Sequence, residues 1–318
     1  MRIAFVGKGG SGKTTLASLF SKFLAEQSLP VLAIDADINQ HLGQSLGMPG
    51  EVAAQIPPLG LEMKRIKEYL RGENPRIKTA SSMMKTTPPG IGSRLMKFNE
   101  PNPVSSYFER KIGNIRLMTV GEFTEEDLGV HCYHSKTGSV ELILNHLIDQ
   151  QGEYVVVDMT AGADSFASGL FAKFDVVFLV VEPTLKSVSV YHQYKKYAAP
   201  FGVEIKSIGN KVVNQLDKEF LQKAIGKDLI AMVSASDYIR ATEQGEKISF
   251  TRLEQENTFA MEAILNVVNA TQKDWKKFYS QMIEFHIRNA QSWANASAGE
   301  DLTLQVDPNF SFDHFIQV

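Results

Sequence analysis

The stretch Gly7-Lys8-Gly9-Gly10-Ser11-Gly12-Lys13-Thr14, with Thr15 behind it, limits the fold more than any other part of the chain. It fits the phosphate-binding loop pattern G-x-x-x-x-G-K-[ST]. That pattern carries weight only between a strand and a helix, and the sequence predicts both. Ile3-Ala4-Phe5-Val6 is an apolar run suited to a buried strand. Leu16, Leu19, Phe20, Phe23 and Leu24 then recur at helical spacing. The glycines at 9, 10 and 12 let the backbone come close to a polyphosphate and turn its N–H groups inward. The helix start adds positive potential at the same point. In such a loop Lys13 reaches the β- and γ-phosphates and Thr14 offers its hydroxyl to Mg²⁺. Ser11 and Thr15 complete the expected contact set.

Further apolar runs repeat the strand signal. Val31-Leu32-Ala33-Ile34-Asp35 follows the first helix. Ile115 to Val120, Tyr154-Val155-Val156-Val157-Asp158, Asp175 to Val181, Ile205 to Gly209 and Leu229 to Val233 come later. A helix is expected over about 139–149. Strands alternating with helices predict an α/β fold, a mostly parallel sheet with helices on both faces. Such sheets bind ligands at the carboxyl ends of their strands, where Asp35-Ala36-Asp37 is delivered.

Two regions depart from this rhythm. Residues 48–111 hold clustered prolines, a helix expected from Met63 to Arg71 and a locally basic series from Lys64 to Lys85. They read as an insertion within the phosphate-loop domain, which spans 1–250, covering the nucleotide face or a dimer interface. From 251 to 318 a helical extension is expected. Ile264, Val268, Thr271, Trp275, Phe278, Met282, Phe285 and Asn289 alternate in steps of four and three, a heptad stripe. It has three readings: covering the body, pairing with a second subunit, or holding a partner. Phe310 to Val318 is expected to add a strand or to dock as a tail.

Lys8 placed before the double glycine gives K-G-G-x-G-K-T, which resembles the deviant phosphate loop of the MinD/ParA, nitrogenase iron protein and ArsA/Get3 families. The resemblance implies a SIMIBI-like P-loop NTPase fold and an ATP hydrolase with Mg²⁺. It implies a homodimer sandwiching two ATP molecules, with Lys8 reaching the partner's nucleotide. Asp35-Ala36-Asp37 resembles the D-x-D segment after strand two. By that likeness Asp37 positions the attacking water and Asp35 lies near the metal shell. Asp158 takes the Walker B position and holds Mg²⁺ with Thr14. Asp158-Met159-Thr160-Ala161-Gly162 looks like switch II, where the Gly162 N–H senses the γ-phosphate. Asn210-Lys211 resembles the adenine-contacting segment, and Ser234 and Ala235 stand where related proteins wrap the base.

Over about residues 1–250 the chain resembles the CooC-type ATPases, which mature carbon monoxide dehydrogenase. Where that type carries Cys-x-Cys, this chain has Cys132-Tyr133-His134. Cysteine and histidine from each of two subunits would suit Zn²⁺ in a tetrahedral S₂N₂ set, and the departure argues against a four-cysteine cluster. The resemblance implies a metalloenzyme-maturation or metallochaperone ATPase with a client protein. The alternative is a ParA/MinD-like positioning or regulatory ATPase without metal. A net charge of −3 gives no electrostatic footprint for nonspecific nucleic-acid binding. No apolar run approaches the roughly 20 residues of a membrane span, and no signal peptide precedes the first strand. The single cysteine suits a reducing compartment, so a cytoplasmic protein is expected.

Overall fold

The computed structural model describes residues 1–122, 133–161, 166 and 169–316, with the side chains of 133–135 left aside. Its elements begin with β1 (Arg2–Gly7), α1 (Lys13–Glu26), β2 (Val31–Ala36) and the single turns α2 (Leu42–Ser45) and α3 (Gly50–Ala53). Then come α4 (Met63–Arg71), β3 (Met96–Lys97), α5 (Pro103–Phe108), β4 (Arg110–Ile112), β5 (Ile115–Thr119), α6 (Tyr133–His146) and β6 (Leu147–Ile148). β7 (Tyr154–Met159), β8 (Val176–Val181), α7 (Leu185–Ala198), β9 (Ile205–Val212), α8 (Gln215–Ile225) and β10 (Leu229–Ser234) follow. The chain ends with α9 (Asp237–Glu243), α10 (Gln255–Ala270), α11 (Trp275–Asn289) and short helical turns.

Among the described residues the main sheet has eight strands in the order β10-β9-β8-β1-β7-β2-β5-β4, with only β4 antiparallel to its neighbour. Every residue of β1, β2, β7 and β8 is buried, as parallel strands covered on both faces must be. Period two sorts their side chains into separate cores. Ala4, Val6, Leu32, Ile34, Val155 and Val157 face α4, α6 and α7. Ile3, Phe5, Val31, Ala33 and Val156 face α1 and α10. The two core strands flanking β7 meet it in register: Phe5 lies opposite Asp158 on one side and Asp35 opposite Asp158 on the other. Two carboxylates therefore come together at the carboxyl end of the sheet.

Residues 48–111 are more than a loop. Ile56, Leu59, Ile66, Leu70, Met96, Phe98 and Phe108 are buried, β3 pairs with β6, and β4 closes the sheet edge. Polar ties join this region to the C-terminal segment. Thr87 Oγ1 donates to Gln305 Oε1 at 2.9 Å, and the Ile91 N–H donates to Asp307 Oδ2 at 2.9 Å.

The heptad stripe expected across 264–289 is not one helix. α10 ends at Ala270, Thr271 is extended (φ −78°, ψ 130°), and α11 restarts behind Asp274, whose carboxylate caps the Lys277 N–H at 2.8 Å. An N-cap aspartate competes well with helix continuation. Both pieces pack on their own body. Ile264 and Val268 join the α1-side core, and Phe285 packs against Phe171 and Phe201. The tail forms no strand among the described residues. It docks, with Phe310 and Phe312 buried around Tyr279 and Trp275.

Candidate nucleotide site

The loop between β1 and α1 is shaped from outside by β9. Asn210, the sixth residue of that strand and itself buried, donates its Nδ2 to the Ser11 carbonyl at 2.8 Å. Lys211, in the left-handed region at φ +58°, donates its Nζ to the Gly10 carbonyl at 2.6 Å and to Glu182 Oε1 at 2.8 Å. A trans peptide points its C=O and N–H in opposite directions. Holding the Ser11 carbonyl outward therefore aims the Gly12 N–H to the other side of the loop. Gly12 sits at φ +94°, and a Cβ there would lie 2.2 Å from Asn210 Nδ2. Glycine is required on both counts.

α1 opens with no side-chain cap and no acidic residue in its first turn. The first N–H groups of a helix lack intrahelical partners, so this start is suited to an anion. Lys13 is buried with its Nζ 3.9 Å from Asp37 Oδ2. Thr14 Oγ1 donates to Asp158 Oδ2 at 2.6 Å. Lys8, Gly9 and Gly10 are exposed.

Asp158 is fully buried, and its Oδ1 has no hydrogen-bond partner among the described residues. Burial pushes its carboxyl up to about 7, against the Thr14 hydrogen bond. Burial, and then the charge of Asp158 across the strand pair, also drive Asp35 well above the usual carboxylate range. Both Asp35 oxygens are engaged by backbone: Oδ1 accepts from the Asp37 N–H at 3.2 Å and Oδ2 from the Leu42 N–H at 2.8 Å. Asp35 thus braces the turn that presents Asp37. An orphaned carboxylate oxygen beside a threonine hydroxyl is a hard-oxygen donor set that fits Mg²⁺.

The base-loop candidates are held from the C-terminal side. The Ser234 N–H donates to Asn257 Oδ1 at 2.9 Å, and the Ala235 N–H to the Val212 carbonyl at 3.2 Å. Glu254 accepts from Ser236 Oγ at 2.6 Å and from the Asp237 N–H at 2.9 Å. Sequence reading missed Glu254 and Asn257. They carry no local motif, and only the fold brings them to Ser234. Gly162 and Cys132 lie outside the described residues, as does the side chain of His134. Among the described residues no group of three His, Cys, Asp or Glu side chains is placed to hold a metal ion. No helix there is long and apolar enough to cross a membrane.

Sheet, loop, uncapped helix and buried Asp158 define a P-loop nucleotide-binding protein. Residues 3–289 match the CobQ/CobB/MinD/ParA nucleotide-binding domain, and the chain belongs to that family. It is 32% identical over 233 residues to an uncharacterized ATP-binding protein of Methanocaldococcus jannaschii, covering 72% of this chain and 81% of that one. It is 27% identical over 246 residues to the carbon monoxide dehydrogenase accessory protein CooC of Rhodospirillum rubrum, covering 77% of this chain and 87% of that one. Among solved structures, the MinC:MinD cell division protein complex of Aquifex aeolicus shares the fold. The TM-score is 0.57 at 17% identity, over 86% of this chain and 97% of that one. Family and site together make the chain an ATP hydrolase.

Proposed function

We propose that the chain is a Mg²⁺-dependent ATPase that dimerises face to face on ATP and uses the cycle to service a metalloenzyme, in the manner of a CooC-type maturation factor. The observation that carries the reading is the convergence of buried Lys13, Asp37 and Asp158 with half-buried Thr14 at the carboxyl end of the sheet. Lys13 binds the β- and γ-phosphates, and the Gly12 N–H and α1 start hold phosphate oxygens. Thr14 and Asp158 would hold Mg²⁺, which supplies charge neutralisation on the phosphates. Asp37, within reach of Lys13, orients the attacking water. Asn210, Ser234 and Ala235 take the adenine, with Lys211 bracing the loop beside it. Lys8, exposed on the rim, reaches the partner's nucleotide.

Asp37→Ala is expected to keep ATP binding and lose turnover, trapping an ATP-bound dimer. Light scattering with saturating ATP reads the dimer, and phosphate release reads turnover. Wild-type hydrolysis by Asp37→Ala would remove Asp37 from its role. A monomer under all nucleotide conditions would defeat the dimer reading. Lys8→Ala mixed with a hydrolysis-dead partner tests action in trans.

The metal reading rests on donor chemistry. Cys132 and His134 supply a thiolate and an imidazole, and a two-fold axis would double them to the four ligands Zn²⁺ prefers. Elemental analysis of the purified dimer is expected to find about one Zn²⁺ per dimer, lost in Cys132→Ser. A metal-free wild-type dimer whose turnover rises with DNA or lipid would favour a MinD/ParA-like positioning ATPase instead.

A further inference from the structure

Thr15 Oγ1 donates to Glu243 Oε1 at 2.8 Å. Thr15 lies in the first turn of α1, and Glu243 is the last residue of α9. We propose that Glu243 is a nucleotide-displaced latch: its carboxylate holds the Thr15 hydroxyl in the free protein and competes with the phosphate of an incoming nucleotide for it. The proposal rests on the nucleotide reading of the loop and adds a residue that no motif marks.

A threonine hydroxyl has a single proton to donate. A carboxylate and a phosphate oxygen are both acceptors at neutral pH, so they cannot share it. They also repel, because like charges a few ångströms apart interact unfavourably even near water. Binding a polyphosphate at the α1 start therefore breaks the Thr15–Glu243 bond. Glu243 is exposed and Thr15 half-buried, so the released carboxylate is readily hydrated. It has room to move, because Thr15, Thr242 and Glu243 line a cleft of 1350 Å³ along the outer side of α1.

The position of α9 gives the displacement a consequence. Its first turn is fixed by Glu254, which holds Ser236 and the Asp237 N–H next to the base-loop residues Ser234 and Ala235. Its last residue is fixed to the first turn of α1 by the latch. Phosphate occupancy is thus transmitted to the end of α9 and to the 244–250 segment along the cleft. The base end of the same helix stays tethered.

Three arms of one titration test this, using the full chain and ATP with Mg²⁺. Glu243→Gln keeps the shape and a hydrogen-bonding group but removes the charge. It is expected to bind ATP about three- to tenfold more tightly than the wild type, an exposed-charge effect. The gain should shrink as salt rises, since exposed charges are screened within a Debye length. In a Thr15→Val background the gain from Glu243→Gln should shrink to the part due to charge repulsion alone, because the contested proton is gone; a double-mutant cycle reads this coupling. Hydrogen exchange of the 243–250 amides should quicken on ATP binding in the wild type. Unchanged affinity in Glu243→Gln overturns the latch. So does an equal gain with and without the Thr15 hydroxyl, or a gain indifferent to salt. No ATP binding by the wild type at millimolar concentration would overturn the nucleotide reading itself, a result distinct from a failed latch.

Discussion

Gly12→Ala is expected to remove measurable ATP binding while leaving a folded protein. The methyl group would sit 2.2 Å from Asn210 Nδ2, far inside contact distance. Asn210 must then release the Ser11 carbonyl, which it holds at 2.8 Å from a buried position. Freed of that bond, the Ser11–Gly12 peptide no longer has a fixed direction, and the N–H aimed at phosphate is lost. Alanine at φ +94° adds backbone strain of about 1–2 kcal/mol. A factor of ten in affinity corresponds to about 1.4 kcal/mol. Strain, the broken Asn210 bond and a misdirected amide together predict a loss of at least about 100-fold. Calorimetric titration with ATP reads the loss, and circular dichroism confirms the fold. The double variant Gly12→Ala, Asn210→Ala removes the clash but keeps the strain and still lacks the bond to the Ser11 carbonyl, so it should recover little of the affinity. Near-wild-type binding by Gly12→Ala would show that the Asn210 clamp does not shape the loop.

The loop and its neighbours were legible in the sequence because they depend on local order. β1, β2, β7 and β8 are runs of buried residues, and a glycine pattern between strand and helix has few other uses. The placement of Asp35 beside Asp158 follows from strand order, which sequence motifs imply only through resemblance; the register makes it physical. β4 escaped notice because Arg110-Lys111-Ile112 has neither length nor apolar alternation, and it pairs only through β5. The heptad stripe misled because spacing alone does not register an N-cap: Asp274 restarts the helix inside an otherwise regular pattern. Residues 48–111 show little periodicity because their buried side chains answer to distant partners: Ile66, Leu70 and Phe98 join the core of β2 and β7, Met84 packs with Ala290 and Leu302, and Thr87 bonds Gln305, 218 residues away. Glu254, Asn257 and Glu243 were illegible for the same reason. Each acts through hydrogen bonds to residues distant in sequence, and no spacing encodes them.

Asp149→Asn is expected to be the most destabilising of the variants considered, while sparing ATP affinity. Asp149 is completely buried at the end of the sheet opposite the loop. Its Oδ1 accepts from Arg2 Nε at 2.7 Å, and its Oδ2 lies 2.8 Å from Lys273 Nζ and 2.8 Å from the Met1 ammonium. Burial alone would push the carboxyl up. Arg2, Lys273 and the ammonium outweigh it and hold Asp149 well below the usual carboxylate range. The Arg2 guanidinium also lies over the Phe278 ring at 4.4 Å, and Lys273 reaches Asp175 at 2.8 Å. One carboxylate therefore ties the start of β1 and the strand entry at Asp175 to the α10–α11 junction. Neutralising it leaves the buried Arg2 guanidinium and the Met1 ammonium without their carboxylate, while Lys273 keeps Asp175. Breaking a buried pair from one side costs about 3–5 kcal/mol. The pH dependence has a definite sign. A carboxyl with a depressed native pKa contributes stability above its unfolded value of about 3.9, and that contribution is lost as pH falls. The gap between wild type and Asp149→Asn should be full at pH 7 and close progressively below about pH 4. Urea denaturation at several pH values measures it. Arg2 and Gly7 are the two ends of β1, so the network and the phosphate loop are separated by the length of the strand. Below the unfolding midpoint, the variant should bind ATP as the wild type does. A variant as stable as the wild type at pH 7 would show that the cations find other partners. Weakened ATP binding in the folded variant would show that the network at the start of β1 also sets the geometry of the loop at its end.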